Sequence, residues 1–214
     1  MLVKKWMSTK VITVGPNETV IKAQILLKEH GIKRLPVMKG GVLVGIVTEG
    51  DLKIASPPAD TLKVENVMTR NPVTVPWNYT VGETAEILLN HKISGVPVLG
   101  NHGQLVGIIT TGDLFRVLVP LTGVGKKGIH FALLVDDRPG SIKEIIDIIR
   151  AAGGRIMSIL TSFDEAPRGY LKVYLRMYGI DRNKLYKLRE TIREKASFFY
   201  IVDHRHNKRD IYEM

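Results

Sequence analysis

A chain of 214 residues, 44% of them hydrophobic, is long enough for two average domains, each with its own hydrophobic core. The chain contains no cysteine, which excludes disulfides, thiolate metal sites and cysteine nucleophiles, and its net charge of +10 raises the question of a polyanionic partner. No apolar run approaches the roughly 18 residues of a membrane-spanning helix, and no signal peptide is evident, so we expect a cytoplasmic protein without a membrane partner.

The first half of the chain contains an internal repeat. An offset of 61 residues aligns matching positions, and after one inserted residue in a glycine-containing turn the offset becomes 62. The aligned pairs include Met7 with Met68, Thr19 with Thr80, Leu27 with Leu88, and Gly45 to Thr48 with Gly107 to Thr110. A fixed offset of this length indicates a duplicated structural unit.

Each repeat has the pattern strand, helix, strand, hairpin, strand, helix. The spacing predicts a first helix from about Thr19 to His30 that stops at Gly31. In the second repeat, Thr80 and Glu83 form a capping box, which predicts a helix that starts there and runs to about Asn90. The apolar strands that follow are joined by glycine turns, and the segment 56–60 breaks the chain between the repeats.

The segment after residue 128 follows a different pattern. Alternating apolar residues predict strands at 129–135, 155–163, 170–178 and 197–202. A capping box formed by Ser141 and Glu144 predicts a helix that stops at Gly153, and a second helix is expected at about 183–195. This order is βαββαβ, and we expect Lys172, Tyr174, Arg176 and Tyr178 to lie on a solvated face of an antiparallel sheet.

Both repeats end with the sequence Gly-x-x-Thr-x-x-Asp, in which Thr48 and Asp51 align with Thr110 and Asp113. Each pair lies where a strand passes into a helix. Helix capping alone would account for Thr and Asp at such a place. A binding role is the alternative, because the two carboxylate oxygens of an aspartate suit the paired hydroxyls of a ribose.

The repeated pattern resembles a tandem pair of CBS domains, also called a Bateman module. The resemblance rests on Leu35-Pro36-Val37 and Val96-Pro97-Val98, each followed by a glycine turn and the Thr-x-x-Asp sequence. It covers roughly residues 1–120 and implies two clefts that bind an adenine nucleotide. The residues that the resemblance assigns to nucleotide binding are Ile12, Arg34, Leu35, Pro36, Thr48, Asp51, Val73, Val96, Pro97, Thr110 and Asp113.

The two repeats differ at the position that would meet a phosphate. Lys33-Arg34 precedes the first Leu-Pro-Val sequence, whereas Ser94-Gly95 precedes Val-Pro-Val in the second repeat. In CBS pairs that bind nucleotides, a basic residue at this position commonly contacts phosphate. Arg34 is therefore the first candidate for a phosphate ligand, and the difference predicts two unequal clefts, of which Arg34 serves one.

The βαββαβ order with Asp137-Arg138-Pro139-Gly140 at its first turn resembles an ACT domain, a ferredoxin-like fold. The resemblance implies either a dimerising unit or an amino-acid site at Asp137, Gly140 and Ser141. The second strand carries Arg155 where many amino-acid-binding ACT domains have Asn, so ligand specificity does not transfer. A CBS pair followed by an ACT domain is similar to the AcuB-type proteins, which are named for acetoin utilisation.

The positive charge is spread along the chain. Residues 1–128 carry 15 Lys and Arg against 9 Asp and Glu, and residues 129–214 carry 16 against 12. No basic arm emerges, and no helix-turn-helix, zinc-finger or RNP pattern is present. Nucleic-acid binding modulated by the CBS pair is therefore the alternative function.

An enzyme would need a nucleophile and a base, a metal cluster or a cofactor motif, and the sequence shows none of these. His204 and His206 would face the same side of a strand, but no carboxylate ligand accompanies them, so we expect both to be solvated and to hold no metal. We predict a non-catalytic protein without a cofactor.

The sequence thus predicts an α+β protein that senses adenine nucleotide, forms a homodimer and regulates a protein partner that the sequence does not identify. The expected divisions are a first CBS repeat at 1–60, a second at 61–121, a linker at 122–128, an ACT-like domain at 129–205 and a basic tail at 206–214.

Overall fold

A computed structural model describes residues 1–54, 61–124 and 127–212. The expected break at 56–60 lies outside these residues, as do positions 125 and 126 of the expected linker. The chain separates into two compact units, Met1–Arg116 and Val117–Met214. Within the described ranges, no helix is both long enough and apolar enough to span a bilayer.

The first repeat contains α1 (Val20–His30), β1 (Arg34–Lys39), β2 (Val42–Thr48) and α2 (Glu49–Ile54). Helix α1 is capped by the Thr19 side chain and ends at Gly31, whose φ is 61°, so both predicted ends are confirmed. Gly40 and Gly41 have φ values of 57° and 81° and form the two-residue turn between β1 and β2. Two consecutive positive φ values are what a type I′ hairpin turn requires.

The second repeat contains β3 (Thr69–Arg70), β4 (Val75–Pro76), α3 (Val81–Asn90), β5 (Gly95–Leu99), β6 (Leu105–Thr110) and α4 (Thr111–Thr122). The predicted capping box is confirmed: the Glu83 amide donates to the Thr80 hydroxyl, and the Thr80 amide donates to the Glu83 carboxylate at 2.7 Å. Strands β4, β5 and β6 form one sheet, whereas β3 joins β1 and β2 in another.

The opening segments of the two repeats are exchanged. Val3, in a 3-10 turn at the start of the first repeat, is fully buried in the core of the second repeat. Val64, its counterpart in the second repeat, is fully buried in the core of the first. Consistently, β3 pairs with β2, and Ser8 forms a bridge with Ile108 of β6. Each repeat therefore completes its core with chain from the other.

The two cores are built from aligned positions, as a duplicated unit requires. The equivalent buried residues, first repeat and second repeat, are Val14 and Val75, Leu27 and Leu88, Leu35 and Val96, Val37 and Val98, and Val47 and Ile109.

The repeated glycines Gly45 and Gly107 leave room for the exchanged segments. A Cβ atom at Gly45 would lie 2.6 Å from the sulfur of Met68, and one at Gly107 would lie 2.5 Å from the sulfur of Met7. Real Cβ contacts are not this short, so a larger residue would push the methionine away. The aligned Met and Gly positions are thus two halves of one packing contact.

The second unit contains β7 (Ile129–Asp136), α5 (Ser141–Ala151), β8 (Arg155–Ser162), β9 (Tyr170–Tyr178), α6 (Arg182–Arg193), β10 (Ala196–Asp203) and β11 (Lys208–Ile211). The predicted βαββαβ order is present, and the sheet has the antiparallel order β11-β10-β7-β9-β8. Its core includes Phe131 and Leu175 from the sheet, Ile145 and Ile149 from α5, and Ile192 from α6.

The predicted side-chain cap of α5 is wrong. Helix α5 is capped by Gly140 without a side-chain bond, because Glu144 forms a two-point ion pair with Arg138 at 2.7 and 3.0 Å in place of the expected capping box. The expected basic tail contains β11, which pairs with β10 along residues 208–211. Asp203 accepts hydrogen bonds from the backbone and side chain of Arg205 and so shapes the turn between these strands.

The alternation in β9 predicted that Arg176 lies on a solvated face, and this prediction is wrong. Arg176 is only 3% exposed, because the chain at Gly123 approaches its aliphatic stem; a Cβ at Gly123 would lie 3.3 Å from the Arg176 Cδ. Its Nη2 lies 2.6 Å from the Nε2 of His204, so His204 is not simply solvated either. Within the described residues, no group of three or more His, Asp or Glu could hold a metal ion.

His130 lies opposite Arg176 across β7 and β9 and packs edge-on against Tyr200 of β10. Burial, together with the charges of Arg176 and His204, lowers the pKa of His130 to about 4. The unfolded chain, with a histidine pKa near 6.5, takes up a proton at higher pH than the folded chain does. The free energy of unfolding should therefore fall as the pH drops from 6.5 towards 4.

We expect His130→Gln to remove about 1–2 kcal/mol of the loss in unfolding free energy between pH 7 and 5, since each pKa unit corresponds to about 1.4 kcal/mol and His130 is partly exposed. Urea denaturation monitored by circular dichroism measures the free energy of unfolding at each pH. Hydrogen exchange of the β9 amides shows which unfolding transition belongs to this sheet. His102→Gln, at an exposed position, is the control and should leave the pH dependence unchanged. An unchanged slope in His130→Gln would contradict the assignment.

Candidate functional site

The two Thr-x-x-Asp turns have the same geometry. In the first, the amide and hydroxyl of Thr48 donate to Asp51 Oδ2 at 2.8 and 2.7 Å, and the Asp51 amide donates back to the hydroxyl at 3.3 Å. The corresponding distances between Thr110 and Asp113 are 2.9, 2.8 and 3.4 Å. Each turn is therefore a capping box at the start of α2 or α4, and the capping interpretation of the sequence is correct.

Capping uses only one oxygen of each carboxylate. Asp51 Oδ1 has no hydrogen-bond partner among the described residues, whereas Asp113 Oδ1 accepts from Nη1 of Arg116 at 3.2 Å. The Arg116 side chain is 70% exposed, so this ion pair is weak. Both turns thus hold an acceptor oxygen that a ligand hydroxyl could use without undoing the cap.

The Thr110 and Asp113 turn lies in a cleft of about 500 Å³, here called the first cleft. Its opposite wall comes from the first repeat and includes Ile12 and Pro36. The volume falls in the range of small-molecule sites. The cleft therefore joins the polar turn of one repeat to the apolar strand residues of the other.

The Thr48 and Asp51 turn lies in a second cleft of about 310 Å³. The turn is joined there by Ile46 from its own repeat and by Val73 and Ile93 from the second repeat. The same cross-repeat arrangement holds as in the first cleft.

Three of the predicted contact residues line neither cleft. Leu35 and Val96 are fully buried in the two cores. Pro97 is buried in β5, and β4 pairs with β5 only from Val98 onward, one residue past the proline. The structure therefore brings eight of the eleven predicted residues to the cleft walls: Ile12, Arg34, Pro36, Thr48, Asp51, Val73, Thr110 and Asp113.

Arg34 lines both clefts and not one. Its Nη2 donates to the hydroxyl of Ser94 at 2.6 Å, and its Nη1 is buried without a partner among the described residues. Burial lowers the pKa of this guanidinium from its usual value, but an arginine stays charged. An unpaired buried N–H is costly and is suited to an anionic acceptor.

Gly95 explains why the two repeats differ here. A Cβ atom at this position would lie 1.7 Å from Arg34 Nη1 and 3.0 Å from the carbonyl oxygen of Ile109. Arg34 and Gly95 occupy aligned positions and contact each other, so they lie beside the axis that relates the repeats. The space there accommodates one long side chain and not two.

Other charged side chains on the cleft walls belong to one cleft each. Lys10 and Lys33 line the first cleft and Lys92 lines the second. Ser94 lines both, and its role as the partner of Arg34 was missed because the sequence alignment placed it opposite Lys33 and gave no contact between repeats. Aligned positions that differ strongly in size would have been the signal.

The three residues of the possible amino-acid site lie at the start of α5. The Ser141 amide donates to the Arg138 carbonyl at 3.2 Å, and the Asp137 amide donates to the Gly169 carbonyl at 2.9 Å. Ser141 is only 5% exposed. Two of the three amides are therefore already bonded, that of Ser141 within the turn and that of Asp137 to the residue before β9, so a ligand using these amides would have to rely on Gly140.

A model of the CBS domain matches residues 3–57 and 64–120, more than half of the chain. The chain belongs to the CBS-domain family. The CBS domain-containing protein YhcV of Bacillus subtilis is 33% identical over 115 residues, a match that covers 52% of this chain and 81% of YhcV. An inosine-5'-monophosphate dehydrogenase of Korarchaeum cryptofilum is 42% identical over 105 residues, but this match covers 49% of this chain and only 22% of the dehydrogenase.

Solved CBS structures agree with this assignment. The CBS domain pair of protein MJ0100, in complex with 5'-methylthioadenosine and S-adenosyl-L-methionine, is 34% identical, with a TM-score of 0.52 over 59% of this chain and 98% of that one. CBSX2 in complex with AMP is 28% identical, with a TM-score of 0.51 over 58% of this chain and 98% of that one.

We expect Gly95→Ala to displace the Arg34 guanidinium and to lower the free energy of unfolding by about 1–2 kcal/mol, through loss of its bond to Ser94. In an Arg34→Ala background the loss of stability caused by Gly95→Ala should be smaller, because only the close contact of the new Cβ with the Ile109 carbonyl oxygen remains. The double-mutant cycle is measured by urea denaturation. Gly82→Ala is the control: its nearest neighbour would be 3.9 Å away, and we expect no loss of stability. Equal costs in both backgrounds would show that Arg34 does not occupy this space.

Proposed function

We propose that this protein is a non-catalytic regulator that binds an adenosine-containing ligand in its two CBS clefts. The observation that carries the proposal is the pair of Thr-x-x-Asp turns, each capped in the same way and each set in a cleft with a second carboxylate oxygen that the cap does not use. The related structures with bound AMP, 5'-methylthioadenosine and S-adenosyl-L-methionine support the same class of ligand.

The chemistry of each cleft suits the three parts of a nucleotide. The Asp carboxylates accept from the ribose hydroxyls, and apolar side chains such as Ile12 and Val73 provide a slot for the flat base. Arg34 provides the charge for phosphate. AMP, ADP, ATP and adenosyl compounds all carry the adenosine part, so the choice among them depends on the charged end.

We further propose that the second unit is an ACT-like, ferredoxin-like domain that dimerises or senses an amino acid. Its strand order, leaving β11 aside, is β10-β7-β9-β8, which is consistent with a βαββαβ unit of this kind. The proposed amino-acid site is Asp137, Gly140 and Ser141, although the amides of Asp137 and Ser141 are already bonded. On this proposal the chain combines a CBS pair with an ACT-like domain, as AcuB-type proteins do. The protein that it regulates would be a cytoplasmic partner.

Nucleic-acid binding is the second candidate function, and the net charge of +10 is the observation in its favour. The clefts give the nucleotide proposal the stronger support.

Replacing Asp51 or Asp113 with Asn should weaken binding in the affected cleft by about ten- to a hundredfold, or ~1.5–3 kcal/mol, because the spare acceptor oxygen becomes a donor. Asn can still cap the helix, so the fold should be kept, whereas Ala would also remove the cap. A thermal-shift panel of AMP, ADP, ATP, S-adenosylmethionine and amino acids selects the ligand, and calorimetry then measures the affinities. Unchanged binding in the double Asn variant would refute the ribose assignment.

We also propose a homodimer, since several helices expose apolar side chains. Leu89 on α3 is 77% exposed and Phe115 on α4 is 68% exposed. Surfaces of this kind commonly mediate association. Light scattering at micromolar concentration should give the mass of a dimer, and Leu89→Asp with Phe115→Asp should give a monomer. Val42→Asp, at a 63% exposed position next to a hairpin turn, is the control and should stay dimeric. A monomeric unmodified protein would contradict the proposal.

A further inference from the structure

Arg34 is the long cationic side chain that the two clefts share. It lines both of them, and so does Ser94, whose hydroxyl accepts a hydrogen bond from Arg34 Nη2. Its Nη1 is buried and has no partner within the described ranges. The aligned position in the other repeat is Gly95, which leaves no room for a second side chain.

The Arg34 guanidinium has two edges that each present a pair of parallel N–H donors, and the bond from its Nη2 to Ser94 leaves only one of these edges complete. Bidentate binding to a phosphate uses one edge of the planar group and fixes its orientation. Turning that edge towards one cleft takes it away from the other. Two phosphates held by the same cation would also lie close enough to repel each other, with little screening by salt at such a short separation.

We propose that Arg34 couples the two clefts, so that a phosphate-bearing adenine ligand in one cleft lowers the affinity of the other cleft for a second such ligand. The inference rests on the proposed function. It differs from a simple inequality of the clefts, because either cleft can be the tight one when the other is empty. The lysines that belong to one cleft each, such as Lys10 and Lys92, then attract the second phosphate only weakly.

The coupling depends on the phosphate and not on the nucleoside. Adenosine binds through the Asp turns and the apolar slots, which are separate in the two clefts. It has no phosphate for Arg34 to bind. Two adenosine molecules should therefore bind the CBS pair with similar affinities. AMP should bind once tightly and once about ten- to a hundredfold more weakly, which is the loss expected when a charge-assisted hydrogen bond is missing.

Calorimetry on the full chain with AMP and with adenosine tests the proposal, together with two variants that each disable one cleft. Asp113→Asn disables the first cleft and Asp51→Asn disables the second, and each keeps an oxygen for the helix cap. We expect both variants to retain one tight AMP site. If the clefts were unequal in themselves, one of the two variants would lose the tight site, and the proposal would be overturned.

Arg34→Ala should bring the two AMP affinities to within about threefold of each other and leave adenosine binding unchanged. Arg34→Lys, which keeps the charge but not the planar fork, should retain part of the difference. Lys10→Ala is the matched control, because this lysine lines only the first cleft: it should weaken AMP there without removing the coupling.

The outcomes separate this inference from the proposed function. If neither adenosine nor AMP binds, the proposed function is wrong, and the proposed coupling is wrong as well. If both bind and the two AMP sites are equal in the unmodified protein, the function stands and the coupling is refuted. Should Arg34→Ala prove unfolded in a thermal melt, the comparison of the two Asn variants still decides between coupled and unequal clefts.

Discussion

The contact between Arg34 and Gly95 is the constraint on which the arrangement of the two clefts depends. Duplication would place the same residue at both positions, but aligned residues that touch lie beside the symmetry axis, where two long side chains would collide. One repeat therefore carries the arginine and the other the glycine. The guanidinium is therefore present once, beside both clefts, whereas each lysine on the cleft walls belongs to one cleft.

The two clefts also depend on both repeats at once. Val3 packs in the core of the second repeat and Val64 in that of the first, whereas Ile12 and Val73, further along the same segments, pack on the cores of their own repeats. Each Asp turn faces an apolar wall from the other repeat. Neither cleft would be complete in an isolated repeat, so unfolding of either repeat should affect both sites together.

Much of this arrangement could be predicted from local sequence. Capping residues, glycine turns and the 61-residue offset gave the helices, the hairpins and the aligned cores, because these depend on neighbours in the chain. The exchange could not be predicted, since an offset is the same whether Val3 packs on its own repeat or on the other. For the same reason the sequence assigned Arg34 to one cleft. Arg176 was misjudged because alternation along β9 gives no sign of the chain at Gly123 that covers it.

The Thr-x-x-Asp turn shows how a structural role can prepare a binding role. In both repeats one carboxylate oxygen accepts from the backbone and hydroxyl of the threonine, and this fixes the aspartate side chain before any ligand arrives. A ligand that uses the second oxygen does not have to immobilise a free side chain, so less of its binding energy is lost to ordering. Capping and the binding of a ligand hydroxyl would therefore use different oxygens of the same aspartate, and the cap would supply the orientation.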